Sequence, residues 1–455
     1  MIYLQPLFAA LALLLGGLRV AALDDARRAR NFAFGVVAAT ALALGVTALV
    51  FRWIGGAELH AYGLTLLCSA EGWRESSPFV DLLVALLAVG LAPVVSHAPR
   101  TIAAILQVIA LALGILAVDD PLALGGLWCA QLVVVTLELR RLSRTGAPPL
   151  AAGFLRYQGL AALCLLGGLY ALQRGWTEEG VLALLVAIAL REAVVPAHGW
   201  LTTLVEHAPL GLVVALVAPQ TGVYVQLSVL HEHTGGELAH VFAAAAAVTG
   251  VIGALLGVVQ TSARRAAGWL VISQTGLIAF GLENHSEVGF TGAMLGWQVM
   301  ALSSSGFLMT IAALEARRGA LSLQQPGGSF ARTPRMAVAF LFLGFASVAL
   351  PLTLGFVAED LLVQGSVEEF PQVGLAVILS TALNGYTVMR CFFVLFSGTR
   401  RHIGEQDLSR REIAAVSVVM GVLLIGGLFP RVFLPSGAHA AGSVDAHAPA
   451  KTSDS

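Results

Sequence analysis

The stretch "ALREAVVPAHGWL" places charged side chains in a sequence that is otherwise strongly apolar. It contains Arg191, Glu192, Pro196 and His198. An ionisable group inside a bilayer costs roughly 2.5–3.5 kcal/mol on insertion scales, so each of these side chains is a candidate functional residue. A histidine, whose usual pKa is about 6.5, can relay protons at neutral pH. The alternatives are a static ion pair for Arg191 and an ordinary hydrogen-bonded structural role for His198.

Pro196 predicts a break in the helix that carries Arg191. Proline lacks a backbone N–H and clashes with the carbonyl group four residues earlier, which here belongs to Glu192. Such a break frees carbonyl groups beside a charge, which is a known way to build a hydrated site in a membrane protein. Adjacent helical positions are about 100° apart, so Arg191 and Glu192 should point in different directions. Glu206 and His207 are interpreted as loop or interface residues.

A second charged stretch, "LPLTLGFVAEDLLVQG", carries Glu359 and Asp360 directly after a predicted break between Pro351 and Gly355. Both carboxyl groups are candidates for moving protons or ions, because a carboxyl group within an apolar segment is costly unless it has a function. Arg390 in "LNGYTVMRCFFVLF" is a plausible partner for Glu359. The alternative is an arginine that snorkels to the membrane surface.

Composition indicates the class of protein that must position these residues. Of 455 residues, 57% are hydrophobic and only 12% are charged, and the mean hydropathy is +0.84. Soluble domains carry about 25% charged residues, so this is an all-α polytopic membrane protein. The net charge of −1 gives no indication of nucleic-acid binding.

About fourteen membrane-spanning helices are predicted, because apolar runs of about 20 residues recur along the chain. They lie near 2–22, 31–52, 79–97, 101–118, 121–140, 152–172, 180–197, 209–230, 240–260, 266–282, 290–314, 335–365, 371–397 and 412–433. Arginine clusters, from Arg27/Arg28/Arg30 to Arg400/Arg401, follow the odd-numbered spans. The positive-inside rule therefore predicts that both termini lie outside.

The sequence gives no indication of a cofactor or a metal. Four scattered cysteines have no zinc or iron–sulfur spacing, and we found no glycine-rich phosphate loop and no haem-attachment motif. The apolar start of the chain is interpreted as a first spanning helix rather than a signal peptide, because it has no basic n-region.

Three segments resemble the antiporter-like membrane subunits of NADH-quinone oxidoreductase (complex I), Mrp sodium/proton antiporters and membrane-bound hydrogenases. They are "VPAHGWLTTLVEHAPLGLVVAL", "VVQTSARRAAGWLVISQTGLIAFGL" and "LPLTLGFVAEDLLVQG", in the family's order. The resemblance implies two inverted five-helix repeats, each with a broken helix, here near 196 and 353. It divides the chain into N-terminal helices (1–100), a first repeat (101–235), a second repeat (236–398), a loop and last helix (399–433) and a disordered tail (434–455).

The resemblance also implies a chain of buried charges and water that carries protons along the membrane midplane. Arg191 falls where the family has a central lysine, and Glu359 falls where it has a terminal lysine or glutamate. Ser273 and Gln274 match a serine–glutamine element that would support the water chain. An arginine holds its proton, so Arg191 suits an electrostatic role better than proton transfer.

Other positions depart from the family pattern. The glutamate of the fifth span falls at Cys129 or Gln131, and the only carboxylate left on that helix is Glu138, near its basic end. A histidine and a lysine of the eleventh span are replaced by Ala301 and Ser305. Nearby polar residues can order water but cannot store charge, namely Gln298 and the serines at 303–305.

The favoured interpretation is a proton-translocating subunit of a respiratory NADH-quinone oxidoreductase-type complex in the bacterial inner membrane. Its partners would be other membrane and peripheral subunits, the lipid bilayer, and protons or sodium ions. Redox chemistry would belong to other chains, so whether the chain is part of an enzyme stays open. The alternatives are an antiporter-like partner in an inorganic-carbon uptake complex and a non-conducting scaffold.

Overall fold

A computed structural model describes residues 2–54, 60–61, 64–65, 72–144, 146, 148–230, 236–284, 286–328, 330–369, 371–398 and 405–430. The side chains of residues 2–3 and 49–75 are not part of this description. The predicted disordered tail at 434–455 lies outside the described residues, and so do Arg400 and Arg401 of the last basic cluster.

The described chain is almost entirely helical, as the composition predicts. Its α-helices are α1 Leu4–Ala21, α2 Ala26–Ile54, α3 Gly72–Gly90, α4 Pro99–Leu116, α5 Pro121–Arg144, α6 Leu150–Gln173, α7 Thr177–Arg191, α8 Gly199–His207, α9 Leu210–Val217, α10 Thr221–Val225, α11 Glu237–Val258, α12 Ala263–Leu282, α13 Glu287–Arg318, α14 Pro334–Ala346, α15 Leu354–Glu369, α16 Pro371–Phe396 and α17 Arg410–Leu428. A π-helical segment, Gln226–Leu230, continues α10. Three two-residue strands form a small sheet of order β1-β3-β2, with β1 Ile2–Tyr3, β2 His60–Ala61 and β3 Leu64–Thr65.

Ten helical segments in the described part are long and apolar enough to cross a membrane. The prediction of an all-α polytopic membrane protein is therefore confirmed, while the count of fourteen spans stays a prediction. Burial separates central from peripheral helices. In the apolar stretch of α13, 89% of the residues are buried, compared with 17% in the apolar stretch of α2. Other helices therefore cover most of α13 and little of α2, so α13 is central and α2 is peripheral.

Three helical breaks interrupt the spans near their middle. The first separates α7 from α8 around Pro196, and the second separates α14 from α15, both where the sequence predicts them. A third separates α9 from α10, where the sequence predicts one continuous helix over 209–230. Backbone in the left-handed region marks every break, at Ala193, Gln220, Ala349 and Leu352. Non-glycine residues seldom adopt this conformation, so the surrounding packing must hold it.

Proline accounts for two differences between the predicted and observed helices. The third break follows Pro219, which has no backbone N–H and so cannot donate the helical hydrogen bond. The third span was predicted at 79–97, but α3 ends at Gly90. Its extension is prevented by Pro93, and a buried loop carrying His97 follows.

Ion pairs join helix ends on the side that carries the basic clusters. Arg264 pairs with Glu315 at 2.7 Å and also donates to the carbonyl groups of Val205, Glu206 and Ala208, at the end of α8. The α13 end is joined to the segment before α17 and to α17 itself by Arg318–Glu405 and Arg317–Glu412, both at 2.9 Å. These contacts fix the half-helix α8 relative to α12 and α13.

Candidate functional site

Arg191 is the last residue of α7 and lies at the centre of a buried polar cluster. Its guanidinium donates to Gln131 Oε1 on α5 at 2.5 Å and to Gln158 Oε1 on α6 at 3.2 Å. It also donates to Thr221 Oγ1 on α10 at 3.1 Å, and it lies 4.9 Å from the ring centroid of Trp128. Only 4% of Arg191 is exposed. A buried charge is tolerated when it is hydrogen-bonded, and each of the three guanidinium nitrogen atoms donates at least one hydrogen bond here.

Glu192 contacts the start of α10, as Arg191 does, but at the next residue along the chain. Its Oε1 atom accepts a hydrogen bond from the backbone N–H of Gly222 at 2.9 Å. Gly222 lies in the first turn of α10, where backbone N–H groups have no helical partner. A Cβ atom on Gly222 would come within 2.5 Å of Glu192 Oε1, so only glycine permits this close approach. The first and third breaks are thus joined by two adjacent charged residues.

One carbonyl group at the first break, that of Leu190, is satisfied by side chains, while the predicted hydrated site beside Glu192 stays a prediction. The carbonyl of Leu190 accepts from the indole N–H of Trp200 at 3.0 Å and from Gln158 at 3.3 Å. The N–H of Val195, beside the cis Val195–Pro196 peptide bond, donates to Thr249 Oγ1. His198 lies against Trp269, and its Nδ1 atom has no partner in the described part of the chain.

Three successive residues of α12 form hydrogen bonds with different neighbouring segments. Thr275 accepts from Gln220 at 3.3 Å, at the break between α9 and α10. Gln274 accepts from Ser304 on α13 at 2.6 Å and donates to the carbonyl of Ser347, at the break after α14. Ser273 accepts from Asn384 on α16 at 2.8 Å. Successive positions on a helix face different neighbours, so α12 joins α10, α13 and α16 through polar contacts.

The two carboxyl groups of the second charged stretch differ in exposure. Glu359 on α15 accepts a hydrogen bond from Thr381 on α16, whereas Asp360 is exposed. The predicted partnership between Arg390 and Glu359 is wrong. Arg390 donates instead to the carbonyl groups of Val258 and Gln260 at the end of α11. It lies nine residues beyond Thr381 on α16, about 13.5 Å along the helix axis, and cannot reach Glu359.

Glu138 belongs to a closed ion pair rather than to the central cluster. Arg141 donates to its carboxylate at 2.5 and 2.7 Å, and Thr101 donates at 2.6 Å. Glu138 lies seven residues beyond Gln131 on α5, about 10.5 Å along the axis. Its role as a site residue is therefore not supported by its contacts, which are those of a structural anchor at the basic end of α5.

The positions that depart from the family pattern fall into two groups. Gln131, rather than Cys129, reaches the central cluster, since it contacts Arg191 and also donates to the carbonyl of Val108. On α13, Ala301 and Ser305 are both buried, and Ser305 Oγ has no partner in the described residues. Gln298 is buried as well and donates to Ser76 on α3 at 2.6 Å. No charge stands at any of these positions.

Several residues of the cluster are not apparent from the sequence, because they are uncharged. Gln158, Thr221, Thr381 and Asn384 contact the predicted residues but lie in apolar helices without a distinguishing motif. Gln220 follows Pro219, which is a signal that could have identified the break. Asp81 was also missed. It is 3% exposed on α3, and its Oδ2 atom has no partner in the described part.

The described residues contain no group of three or more histidine, cysteine, aspartate or glutamate side chains that could hold a metal ion. The free cysteines of this part are Cys129, Cys164 and Cys391. The chemistry that the arrangement supports is therefore that of buried carboxyl groups, one fixed positive charge, and neutral amides and hydroxyl groups. Such groups can pass protons between carboxyl groups and ordered water, but they supply no redox chemistry.

Comparisons with known proteins identify relatives of this chain. Residues 169–384 match the transmembrane family model described as NADH:quinone oxidoreductase/Mrp antiporter. Subunit M of NADH-quinone oxidoreductase from Escherichia coli K12 is 24% identical over 277 residues, which cover 58% of this chain and 54% of that protein. The chain thus spans about half the length of the first curated relatives that it matches. NAD(P)H-quinone oxidoreductase chain 4 1 from Synechococcus sp. JA-3-3Ab is 25% identical and covers 94% of this chain and 90% of its own.

Solved structures show the same fold at lower identity. A chain of respiratory complex I from Thermus thermophilus with bound NADH superposes with a TM-score of 0.83 at 19% identity, covering 96% of this chain and 98% of that chain. A chain of the Mrp complex from Dietzia sp. DQ12-45-1b gives a TM-score of 0.79 at 17% identity, covering 97% and 98%. The expected resemblance to antiporter-like subunits is confirmed.

Proposed function

We propose that this chain, which resembles the antiporter-like membrane subunits of the complex I and Mrp type, conducts protons through its buried polar residues. The observation that carries the proposal is a set of polar contacts distributed between α5 and α15. It begins at Gln131 and Arg191, passes through Gln220 and α12, and ends at Glu359. One carboxyl group stands near each end, at the buried Glu192 and the partly buried Glu359.

Water is the proposed carrier between the side chains of this path. Buried polar atoms are normally satisfied by protein or by ordered water. Several polar atoms along the path have no protein partner in the described part of the chain, namely Gln220 Oε1, Gln298 Oε1, Ser305 Oγ and Asn384 Oδ1. Each offers a hydrogen-bonding position to a water molecule, and a file of such waters can transfer protons without a lysine or histidine on α13.

Arg191 acts in this proposal as a fixed positive charge. Arginine is effectively always protonated, so it does not take part in proton transfer. Its charge lies next to Glu192 in the sequence and favours the ionised carboxylate, which must form when a proton leaves Glu192. Glu192 then exchanges protons with water, and Glu359 does the same at the far end. The hydrogen-bonded guanidinium keeps α5, α6 and α10 in place while the protons move.

The chain would function as one subunit of a larger membrane complex. Its curated relatives are subunits of quinone oxidoreductases, and its structural neighbours belong to complex I, the Mrp complex and a sulfane sulfur reductase. We propose partner subunits that carry the redox centres, a location in the bacterial inner membrane, and both termini outside. Affinity purification of the native complex followed by mass spectrometry would identify the partners, and a carbonic-anhydrase-like partner would favour inorganic-carbon uptake instead.

Glu192→Gln tests proton conduction with little change in structure. Glutamine retains an oxygen that can accept from the N–H of Gly222, but it cannot bind and release protons at neutral pH. The native complex would be reconstituted in liposomes, and proton uptake would be followed during turnover. The proposal predicts a large loss of proton uptake in the variant, with an unchanged content of partner subunits.

A non-conducting scaffold is the second candidate, and it has its own supporting observation. Gln131 stands where a carboxylate would pair with a proton-switching residue, and Arg191 uses its donors in fixed contacts. A scaffold predicts that Glu192→Gln and Glu359→Gln leave proton uptake by the complex unchanged. It also predicts that removing the chain causes loss of neighbouring subunits.

A further inference from the structure

A pocket of about 640 Å³ opens where the end of α5 meets the start of α6. It lies far along α5 from the central cluster, on the side of the basic clusters. Its walls combine apolar and positively charged side chains, and they are formed by Arg140, Ser143, Arg144, Pro149, Ala151, Ala152, Leu155 and Arg156. None of these residues belongs to the proposed proton path.

The three arginines of the pocket are not neutralised. Arg140, Arg144 and Arg156 are exposed and form no hydrogen bond or ion pair with another residue in the described part of the chain. No carboxylate lines the pocket. The neighbouring Arg141 differs, because Glu138 neutralises it at 2.5 Å. The other basic residues that join helices on this side are likewise paired, so the pocket carries an unusual local excess of positive charge.

The helix surfaces below the pocket are apolar and exposed. On α5, Val133 and Leu137 are 53% and 58% exposed. Residues 133, 137, 140 and 144 follow one another at spacings of four, three and four residues, so these four side chains share one helix face. On α6, Arg156 shares a face with Leu160 and Leu163, which are 50% and 69% exposed. A positively charged pocket therefore continues directly into two apolar stripes.

We propose that this pocket binds the head group of an anionic phospholipid, whose acyl chains lie along the apolar faces of α5 and α6. Guanidinium groups bind phosphate oxygens with paired N–H donors, and Ser143 lines the same cavity. Basic pockets between transmembrane helices are suited to anionic head groups. A free phosphate would use the arginines alone, whereas the apolar stripes give the lipid additional contact area. The proposal does not depend on proton conduction.

The test compares lipids that share acyl chains but differ in charge. The purified full chain would be titrated with phosphatidylglycerol or phosphatidylcholine, and bound lipid would be counted by native mass spectrometry. The variant Arg140→Gln/Arg144→Gln/Arg156→Gln should bind phosphatidylglycerol on the order of a hundredfold more weakly, because each arginine near an anionic lipid contributes about one kcal/mol. The control is Arg27→Gln/Arg28→Gln/Arg410→Gln, which removes three exposed arginines elsewhere on the same side.

Three results would overturn the proposal. The first is equal binding of both lipids by the wild type, and the second is equal loss of phosphatidylglycerol in the two triple variants. The third is displacement of phosphatidylglycerol by inorganic phosphate at a similar concentration, which would indicate a free-anion site. Retention of phosphatidylglycerol by the wild type and the control variant, with loss only in the pocket variant, would support the lipid site.

Discussion

Replacement of Arg191 by lysine and by glutamine separates its charge from its hydrogen bonds. The guanidinium donates to three helices within 3.2 Å and lies over Trp128. A lysine ammonium is a point charge that cannot form this planar set of contacts. Hydrogen bonds to charged groups contribute about 1.5–3 kcal/mol each. The loss of one to two of them predicts that Arg191→Lys lowers the free energy of unfolding by about 3 kcal/mol.

Proton conduction should respond to the two substitutions in opposite ways. A buried lysine can release its proton, so Arg191→Lys should conduct at least as well as the wild type. Arg191→Gln removes a unit charge beside Glu192. That charge favours the ionised carboxylate of Glu192, and a loss of about 1.4 kcal/mol of this stabilisation corresponds to a tenfold change in rate. Arg191→Gln should therefore reduce proton flux about tenfold.

The assay is proton flux into liposomes that contain the native complex, normalised to folded protein, with thermal unfolding measured on the same samples. Arg174→Gln is the control. Arg174 directly follows α6, is exposed, stacks on Tyr170 and does not belong to the cluster around Arg191. If folded Arg191→Gln conducted protons at the wild-type rate, the fixed-charge role of Arg191 would be refuted.

Three further predictions concern the contacts around the path. Gly222→Ala should reduce proton flux and lower the free energy of unfolding by about 1–3 kcal/mol, because the new Cβ atom would displace Glu192. The control Gly126→Ala, at a position with open space around it, should have neither effect in the same flux and unfolding assays. Glu138→Gln should lower the free energy of unfolding by about 1–3 kcal/mol and leave flux per folded molecule unchanged, since its contacts with Arg141 and Thr101 are structural; a specific loss of flux would contradict this. Burial lowers the pKa of His97, in the loop between α3 and α4, to about 4. The unfolded chain then binds the proton more readily, so stability is full above about pH 6.5 and falls by about 3 kcal/mol towards pH 4. Unfolding curves of the wild type and His97→Gln should diverge over that range, and parallel curves would contradict the assignment.

The sequence predicts the architecture well, because bilayer thickness and helix-breaking residues control it. Hydropathy identifies most spans, and Pro196 and the segment around Pro351 identify two of the three breaks. The break at Gln220 was missed because a long apolar run favours a continuous helix even when it contains Pro219. Local pattern and tertiary packing compete there, and the packing of α10 against Glu192 decides the outcome.

The candidate site is less predictable, because charge is visible in a sequence whereas neutral hydrogen-bonding partners are not. Arg191 and Glu359 stand out, but Gln158 and Thr221 do not differ from ordinary residues of apolar helices. Contacts between elements distant in sequence also decide which charges take part. Arg390 and Glu359 lie on adjacent helices, yet the length of α16 separates them. Only the three-dimensional structure reveals that separation.

Glu359 and its neighbour provide the most direct test of proton conduction. Glu359 accepts from Thr381 inside the molecule, whereas Asp360 is exposed on the same helix. Proton uptake would be measured in liposomes that contain the native complex with Glu359→Gln or with Asp360→Asn. We predict that Glu359→Gln loses most proton uptake and that Asp360→Asn retains it. Wild-type proton uptake by Glu359→Gln, in a complex of normal composition, would contradict proton conduction through this chain.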